Sequence, residues 1–391
     1  MAPREAVTEI ATEAKDWRRH LHQYPELLFD LPKTSSFVAE KLREFGCDEV
    51  VTGIAKSGVV GVIKGGRGVG RTLGFRADMD ALPISEETNL AHSSKVPNRM
   101  HACGHDGHTA TLLAAAKHLA ATRNFAGTVV VVFQPAEEGG GGAGVMIEEG
   151  LVERFAIDEF YAMHIQPGLP VGAFATRPGA FLGAGDRFIV TLNGLVGHAA
   201  YPHKSRDPIV AGAHLITALQ TISSRYANPF DPVVVTVTYI TSGERGVLNV
   251  IPGTLEIGGT IRTMSQEVRK SLEDRFRDMV EATAKLFEMQ AEIEWRPGYP
   301  VSFNDPTKTA VAVAAARSVS GDENVDDDYH RTLGSEDFAY MLQKRPGAYV
   351  WFGNGDSEAL HNPAFDFNDE AIIHGMKFWL ALVERELAPR T

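Results

Sequence analysis

Residues 128–133, TVVVVF, constrain the fold more than any other feature of the chain. This run has no polar face, so a strand formed from it has to be covered on both sides of its sheet. Residues 160–165 form a second buried run, and helical patterns over 107–122 and 141–150 alternate with the two runs. Strands that alternate with helices predict an α/β domain with a mixed central sheet flanked by helices.

The N-terminal part of the chain contains further predicted helices and strands. Amphipathic patterns predict helices over 5–22 and 33–46, separated by prolines. Apolar segments at 58–63 and 72–78 lie on either side of the glycine-rich sequence GGRGVG. This arrangement predicts that the two segments pair as a β-hairpin.

The pattern changes near residue 185, where an order β-α-β-β-α-β begins. That order predicts a ferredoxin-like α+β domain inserted at 185–299, with 1–184 and 300–391 forming the larger α/β domain. The inserted elements are expected at 187–194 (strand), 207–226 (helix), 233–241 and 253–264 (strands), 266–289 (helix) and 292–298 (strand). The larger domain then resumes with a helix at 306–320, a strand at 348–352 and a helix at 370–388.

Charge and cysteine content exclude several classes of protein. A formal net charge of −12 argues against a nucleic-acid partner, which needs a basic surface. Two cysteines in 391 residues do not make a disulfide framework, and they suit a reducing compartment. The N-terminal sequence carries scattered charges, and no apolar stretch is long enough to span a bilayer. We therefore expect a cytoplasmic protein that binds neither nucleic acid nor membrane.

Five side chains are candidates for a metal site: Cys103, His105, Glu138, His164 and His361. Thiolate, imidazole and carboxylate are the ligand types of zinc. Each candidate lies at an expected strand end or loop, and sites in open α/β sheets collect beyond the carboxyl ends of the strands. A single histidine is more often a surface or core residue. The segment 101–108 is harder to explain by packing, because it holds three histidines, a cysteine and an aspartate.

Two acidic positions extend the candidate site. Glu137 and Glu138 follow the 128–133 strand, so that one carboxylate can bind metal while the other takes a proton from water. A solvated acidic turn is the alternative. Asp78 ends the 72–78 strand and could orient a ligating imidazole, or simply cap a turn.

Three further candidates lie in the inserted domain. His198 follows a strand and could donate to a developing oxyanion, or be an ordinary turn histidine. Asn249 and Arg262 could bind a substrate carboxylate, a task that suits the guanidinium group. Exposed positions on a strand face are the alternative for these two residues.

Seven motifs occur in order along nearly the whole chain: FRADMDALP, MHACGHDGHTA, QPAEEGGGGA, the AMH around His164, GLVGHAAYPH, LNVIPG and HNPAFDFND. Together they resemble the aminoacylase and carboxypeptidase family of co-catalytic metal hydrolases. The branch resembled is that of hippurate hydrolase and the plant indole-acetyl-amino acid hydrolases. The resemblance implies a catalytic α/β domain and an inserted ferredoxin-like lid domain that mediates a homodimer or a dimer of dimers.

The resemblance also implies the ligands of two divalent metal ions per subunit. Cys103 bridges the two ions, Glu138 and His361 complete the ligands of one, and His105 and His164 complete those of the other. Zinc, manganese, cobalt and nickel all suit such a mixed donor set.

Two catalytic roles follow from the resemblance. Glu137 is the general base, and His198 reaches the oxyanion, in this family often from the partner subunit. The chain departs from the wider family at Arg76, where that family has a metal histidine, and at Cys103, where it has a bridging aspartate. The His105 imidazole takes the place of the lost ligand.

The function implied is hydrolysis of the amide bond of N-acyl amino acids, which releases a carboxylic acid and an amino acid. A metallo-dipeptidase or carboxypeptidase of the same family is one alternative. A hydrolase that uses Cys103 as nucleophile and a non-catalytic ligand-binding protein are two others.

Overall fold

The computed structural model describes residues 3–388, which form two compact units. Unit 1 contains the described residues up to Gly179, together with Phe303–His330 and those from Asp337 onward. Unit 2 contains Ala180–Ser302 and Arg331–Glu336. The predicted domain limits, 185 and 299, lie within a few residues of the long part of unit 2. The role of this part as a dimerisation or lid domain stays a prediction.

The strands and helices are numbered in chain order. The strands are β1 (Glu49–Ile54), β2 (Gly58–Lys64), β3 (Thr72–Asp78), β4 (Thr128–Gln134), β5 (Glu159–Gln166), β6 (Phe174–Ala175), β7 (Gly179–Leu182), β8 (Ala184–Asn193), β9 (Gly197–His198), β10 (Val233–Ser242), β11 (Val250–Ile251), β12 (Thr254–Thr263), β13 (Gln290–Arg296), β14 (Ser302–Asn304), β15 (Val325–Asp326) and β16 (Gly347–Gly353). The helices are α1 (Pro3–Gln23), α2 (Pro32–Glu44), α3 (His105–Thr122), α4 (Gly142–Glu148), α5 (Leu151–Phe155), α6 (Pro208–Thr221), α7 (Gln266–Leu286), α8 (Pro306–Ser320), α9 (Ala339–Lys344) and α10 (Ala371–Glu386).

The centre of unit 1 is a mixed sheet in the order β1-β2-β4-β3-β5-β16-β6-β15. Its four middle strands, β4, β3, β5 and β16, run parallel to one another, so their carboxyl ends meet at one edge. The valines of β4 are fully buried, as the apolar run predicts. Helix α3 is buried along most of its length and packs against α1, α10 and β3. Its many alanines allow these neighbours to approach closely.

The hairpin predicted from 58–63 and 72–78 is wrong. Strand β2 pairs with β1 and β4, and β4 lies between β2 and β3. The glycine-rich loop does not close a turn between β2 and β3. Instead Gly65 donates its N–H to Gly127 O, and Gly127 donates to Gly68 O, so the loop packs against the segment that leads into β4.

Unit 2 has a four-stranded antiparallel sheet in the order β10-β12-β8-β13, with α6 and α7 packed against it. The chain order β8-α6-β10-β12-α7-β13 is the predicted β-α-β-β-α-β order. Asp207 and Ser265 cap the two helices by accepting backbone N–H groups of their first turns. The unit has a hydrophobic core of its own, which includes Phe188, Leu215 and Phe276.

Across residues 3–388, none of the helices combines the length and the apolar composition that crossing a membrane requires.

Candidate metal centre

The parallel strands of unit 1 deliver the predicted side chains to one edge of the sheet. Asp78 ends β3, and His164 lies near the end of β5. Glu137 and Glu138 follow β4, and His361 follows β16. This edge is the carboxyl end of the parallel strands, where ligand sites in open α/β sheets form.

All five predicted metal ligands meet there. The Cys103 Sγ lies 3.3 Å from His164 Nε2. The ligand atoms of Cys103, Glu138 and His361 lie within 4.8 Å of one another. Glu138 Oε1 is 3.3 Å from His361 Nε2 and 3.9 Å from His105 Nε2. The thiol therefore lies between one group formed by Glu138 and His361 and a second that includes His164.

Backbone carbonyls fix the orientation of two imidazoles. His164 Nδ1 lies 2.7 Å from Ile165 O, and His105 Nδ1 lies 2.8 Å from Asp80 O. Because a carbonyl oxygen only accepts, each Nδ1 carries a hydrogen, so Nε2 is the ring nitrogen that can offer a lone pair to a metal ion. Among the described residues, no hydrogen-bond partner is found for the buried Nε2 of His105. This is the arrangement of a histidine that binds metal through Nε2.

His108 differs from its two neighbours because both of its ring nitrogens are used. Its Nε2 accepts the N–H of Ile165 at 2.9 Å, and its Nδ1 donates to Asp78 Oδ1 at 2.6 Å. Asp78 lies 3.7 Å from His105 Nε2, which is too long for a hydrogen bond. The role of Asp78 in orienting a ligating imidazole therefore stays a prediction.

The remaining members of the 101–108 segment lie behind the site. Asp106 is buried and pairs with Arg18 Nε and His22 Nδ1, both at 2.8 Å. His101 is fully buried, and burial lowers its pKa to about 3. Gly104 begins α3 with a φ of 83°, and a Cβ there would lie 2.7 Å from Ile165 Cγ2. Glycine at this position permits the turn that separates the predicted ligands on either side of it.

Arg76 is a buried cation in the place where the wider family was expected to have a metal histidine. Its guanidinium group donates to Gln134 Oε1 at 2.7 Å, Asp78 Oδ2 at 2.7 Å and Asp337 Oδ1 at 3.0 Å. Asp337 also accepts the backbone N–H of Ala143 at 3.0 Å. Sequence reasoning missed Asp337, because its partners are distant in the chain.

Asp80 is the second residue that sequence reasoning missed. It is 1% exposed, and its carboxylate accepts the backbone N–H groups of Glu137 at 2.9 Å and Glu138 at 3.1 Å. The only available signal was its position two residues after Asp78 in the motif FRADMDALP.

Electrostatics at the site favour a cation. Burial by itself lowers the pKa of the His105 imidazole. The carboxylates of Asp78, Asp80 and Glu138 outweigh burial and raise this pKa to about 10. Burial raises the pKa of the Cys103 thiol well above its usual range, and the charge of Glu138 raises it further. A thiol, imidazoles and carboxylates under such negative charge are the donor set of a divalent metal centre, so the residues present fit one.

Two non-glycine residues at the site have left-handed backbone conformations. Ala136, which precedes Glu137, has a φ of 56°, and His361 has a φ of 66°. Such conformations cost energy and persist where the surrounding structure enforces them, often at functional sites. The His361 backbone is held by the hydrogen bond that its N–H donates to Ala102 O at 2.8 Å.

The three predicted residues of the inserted domain lie in unit 2. His198, in β9, is exposed, and its Nδ1 accepts the N–H of Ala200 at 3.0 Å. Asn249 is next to β11, which pairs with β9, so the structure brings Asn249 and His198 together. Arg262 lies in β12, and its guanidinium group is 3.3 Å from Ser335 Oγ.

The sequence profile described as Peptidase family M20/M25/M40 matches residues 74–385. The chain belongs to this family. It is 37% identical over 381 residues to hippurate hydrolase from Campylobacter jejuni, a match that covers 97% of this chain and 98% of that protein. It is 40% identical over 371 residues to N-acetyl-L-cysteine deacetylase from Bacillus subtilis, covering 95% of this chain and 87% of that protein.

A solved structure from the same M20 family is also similar. This dinuclear metal-binding peptidase from Bacillus subtilis has 33% sequence identity and a TM-score of 0.85, covering 98% of this chain and all of that one. The predicted family and fold class are thereby confirmed, and the chain is an M20 amidohydrolase. Its cluster of potential metal-ligating side chains is consistent with membership of a family that contains dinuclear metal enzymes.

Proposed function

We propose that this M20 hydrolase cleaves the amide bond of N-acyl amino acids and that Glu137 is its general base. The observation that carries the proposal is the adjacent pair Glu137 and Glu138, held at the same sheet edge as Cys103, His105 and His164. The names of the two relatives, a hippurate hydrolase and an N-acetyl-L-cysteine deacetylase, support this substrate class.

The proposed ligands form two overlapping sets. Cys103 would belong to both sets, Glu138 and His361 would hold one ion, and His105 and His164 would hold the other. Support comes from one short distance within each set, Cys103 Sγ to His164 Nε2 and Glu138 Oε1 to His361 Nε2, both 3.3 Å. Two divalent ions per subunit, whether zinc, manganese, cobalt or nickel, would polarise the substrate carbonyl and acidify the attacking water.

In the proposed reaction, the Glu137 side chain transfers the proton of the attacking water. Glu137 accepts a proton from the attacking water as the new carbon–oxygen bond forms. It then passes that proton to the leaving nitrogen as the carbon–nitrogen bond breaks, which yields a carboxylic acid and an amino acid. His198 donates to the oxyanion, and Arg262 and Asn249 bind the carboxylate of the amino acid moiety.

A cysteine hydrolase that uses Cys103 is less well supported. A nucleophilic thiol needs a lowered pKa, which positive neighbours provide. Burial and the neighbouring carboxylates instead raise the pKa of the Cys103 thiol. A metallo-dipeptidase or carboxypeptidase is the better alternative, because the similar solved structure is that of a peptidase.

One experiment tests the proposal. The purified protein is analysed for bound metal and assayed with N-acetyl and N-benzoyl amino acids and with dipeptides, before chelation, after chelation and after metal is restored. We expect hydrolysis of N-acyl amino acids that a chelator abolishes and a divalent ion restores. Preference for dipeptides favours the alternative, chelator-resistant activity favours the Cys103 nucleophile, and no hydrolysis of any N-acyl amino acid at full metal loading rejects the proposal.

We also propose that the chain forms a homodimer, or a dimer of dimers, through unit 2. Strand β10 is at the edge of its sheet, and it exposes Val234, Tyr239 and Ile240. An exposed apolar edge strand is a surface that pairs readily with a second chain. Light scattering coupled to size exclusion tests this proposal, and a monomer at micromolar concentration rejects it.

A further inference from the structure

Asp80 contacts three residues of the metal centre at once. Its Oδ1 accepts the N–H of Glu137 at 2.9 Å, and its Oδ2 accepts the N–H of Glu138 at 3.1 Å. Its own backbone carbonyl accepts Nδ1–H of His105 at 2.8 Å. Asp80, which lies just after β3, therefore holds both a segment that follows β4 and a side chain at the start of α3.

The segment after β4 has little regular structure of its own. Residues 135–141 contain a turn at 137–140 and neither helix nor strand, Ala136 has a φ of 56° and Gly139 a φ of 105°. Four consecutive glycines follow Glu138, and glycine populates many backbone conformations. A segment of this kind does not fix the direction of two neighbouring side chains without an anchor. The two hydrogen bonds to Asp80 supply that anchor at Glu137 and Glu138.

We propose that Asp80 is a positioning residue, which sets the general base Glu137 against the metal ligands Glu138 and His105. The inference rests on the proposed function for the role of Glu137. Two successive peptide planes are fixed when their N–H groups bind the two oxygens of a single rigid carboxylate. The directions of the Glu137 and Glu138 side chains are then fixed together, while the carbonyl of the same residue orients His105.

The chemistry requires a carboxylate at this position. Two backbone donors converge on the side chain, and an ionised aspartate offers an acceptor to each. An asparagine has the same shape, but it offers one acceptor oxygen and turns an NH₂ group toward the second donor. Asp80→Asn therefore removes one anchor and introduces repulsion between two donors, with almost no change in volume.

The experiment compares Asp80→Asn with the wild-type protein and with Glu26→Gln as a matched control. Glu26 is also a buried carboxylate that accepts two successive backbone N–H groups, those of Lys33 at 3.0 Å and Thr34 at 2.9 Å. Those bonds hold the start of α2 instead of the metal centre. Any general cost of losing a buried carboxylate anchor therefore shows in both variants.

Three measurements are made on each protein. In the metal-stripped protein, amide hydrogen exchange of the peptide that contains Glu137 and Glu138 is expected to be faster in Asp80→Asn alone. Zinc affinity, measured by competition with a chromophoric chelator, is expected to fall about 10- to 100-fold, the usual effect of losing a partner that orients a ligand. At saturating metal, kcat is expected to fall with KM nearly unchanged, because the base is displaced while substrate contacts remain.

Wild-type exchange and wild-type zinc affinity in Asp80→Asn overturn the proposal, as does an equal loss of zinc affinity in Glu26→Gln. If Asp80→Asn does not fold, Asp80→Ser, which keeps one acceptor oxygen in a smaller side chain, is held to the same criteria. Failure of the proposed function gives a different result. The wild-type protein then shows no hydrolysis, while the exchange and zinc measurements still decide whether Asp80 anchors the segment.

Discussion

The histidines near the metal centre are distinguished by the second hydrogen bond that each one makes. His105 and His164 give Nδ1–H to backbone carbonyls, which leaves Nε2 for a metal ion. His108 accepts a backbone N–H at Nε2 and donates from Nδ1 to Asp78, which leaves no lone pair. Residue type alone therefore does not define a ligand. The hydrogen-bond partner of the other ring nitrogen decides whether a histidine can act as a metal ligand.

The role of Glu137 is tested by Glu137→Gln. The amide keeps the size of the side chain and the backbone hydrogen bond to Asp80, but it does not accept a proton from water. We expect unchanged metal affinity and a fall in kcat of about 100- to 10,000-fold, the range of a lost general base. Metal content and steady-state hydrolysis are measured on the same preparation.

The neighbouring Glu138→Gln is the matched control for that prediction. It removes a proposed ligand and is expected to lower metal affinity as well as turnover. Near-normal turnover in Glu137→Gln would remove Glu137 from the role of base. Equal loss of metal in both variants would show that Glu137 is a ligand.

Among the connecting segments, the one between β3 and α3 depends on side-chain anchors. Its strand pairings are isolated bridges, so backbone hydrogen bonds to other segments and hydrogen bonds to side chains together hold its shape. Glu86 is one such anchor. Its carboxylate accepts the N–H of Ser94 at 2.6 Å and the hydroxyl of Thr88, and it lies 3.3 Å from His22 Nε2 in α1.

This anchor makes stability depend on acid pH. Burial raises the pKa of Glu86, but the hydrogen bonds with His22, Thr88 and Ser94 outweigh burial and lower it to about 2. A carboxylate whose pKa is lower in the folded state stabilises the fold above its unfolded pKa, about 4.3. That contribution is lost as pH falls from about 4.3 toward 2.

Glu86→Gln should therefore flatten the acid side of the stability profile. We expect the free energy of unfolding at pH 7 to fall by about 1–3 kcal/mol, the cost of weakened hydrogen bonds to a charged group. The difference between variant and wild type should shrink below pH 4. Urea unfolding from pH 3 to pH 7 measures this change, and a difference that is constant over the range contradicts the assignment.

At the scale of the whole molecule, the residues with proposed roles are divided between two units with separate hydrophobic cores. All five proposed metal ligands and Glu137 belong to unit 1, whereas His198, Asn249 and Arg262 belong to unit 2. Metal binding should therefore stabilise unit 1 directly. Unit 2 gains nothing from the ions through its own residues.

Calorimetry can test this division. We expect two thermal transitions, of which only one moves to higher temperature when metal is added to the chelated protein. At a free metal concentration about 100 times Kd, that unit gains about 2.7 kcal/mol. Phe276→Leu, in the core of unit 2, should lower the other transition. A single transition, or equal shifts of both, contradicts independent stabilisation.

Much of the fold follows from the sequence. Local periodicity predicted the helix at 306–320 with its observed bounds, the buried strand β4 and the element order of unit 2. Side-chain chemistry at strand ends selected the five residues that meet at the metal centre. The secondary-structure predictions are correct because hydrophobic period is a property of short segments, whereas the ligand roles of the five residues stay predictions.

Only the tertiary structure decided which segments become neighbours. Pairing placed β4 between β2 and β3 where the sequence predicted a hairpin. It also brought Asp80 to the N–H groups of Glu137 and Glu138, and His108 to the N–H of Ile165. Each of these contacts joins residues far apart in the chain, and a local pattern carries no signal of its distant partner. The sequence by itself determined which chemical groups reach the sheet edge, and the tertiary contacts determined which lone pairs remain available there.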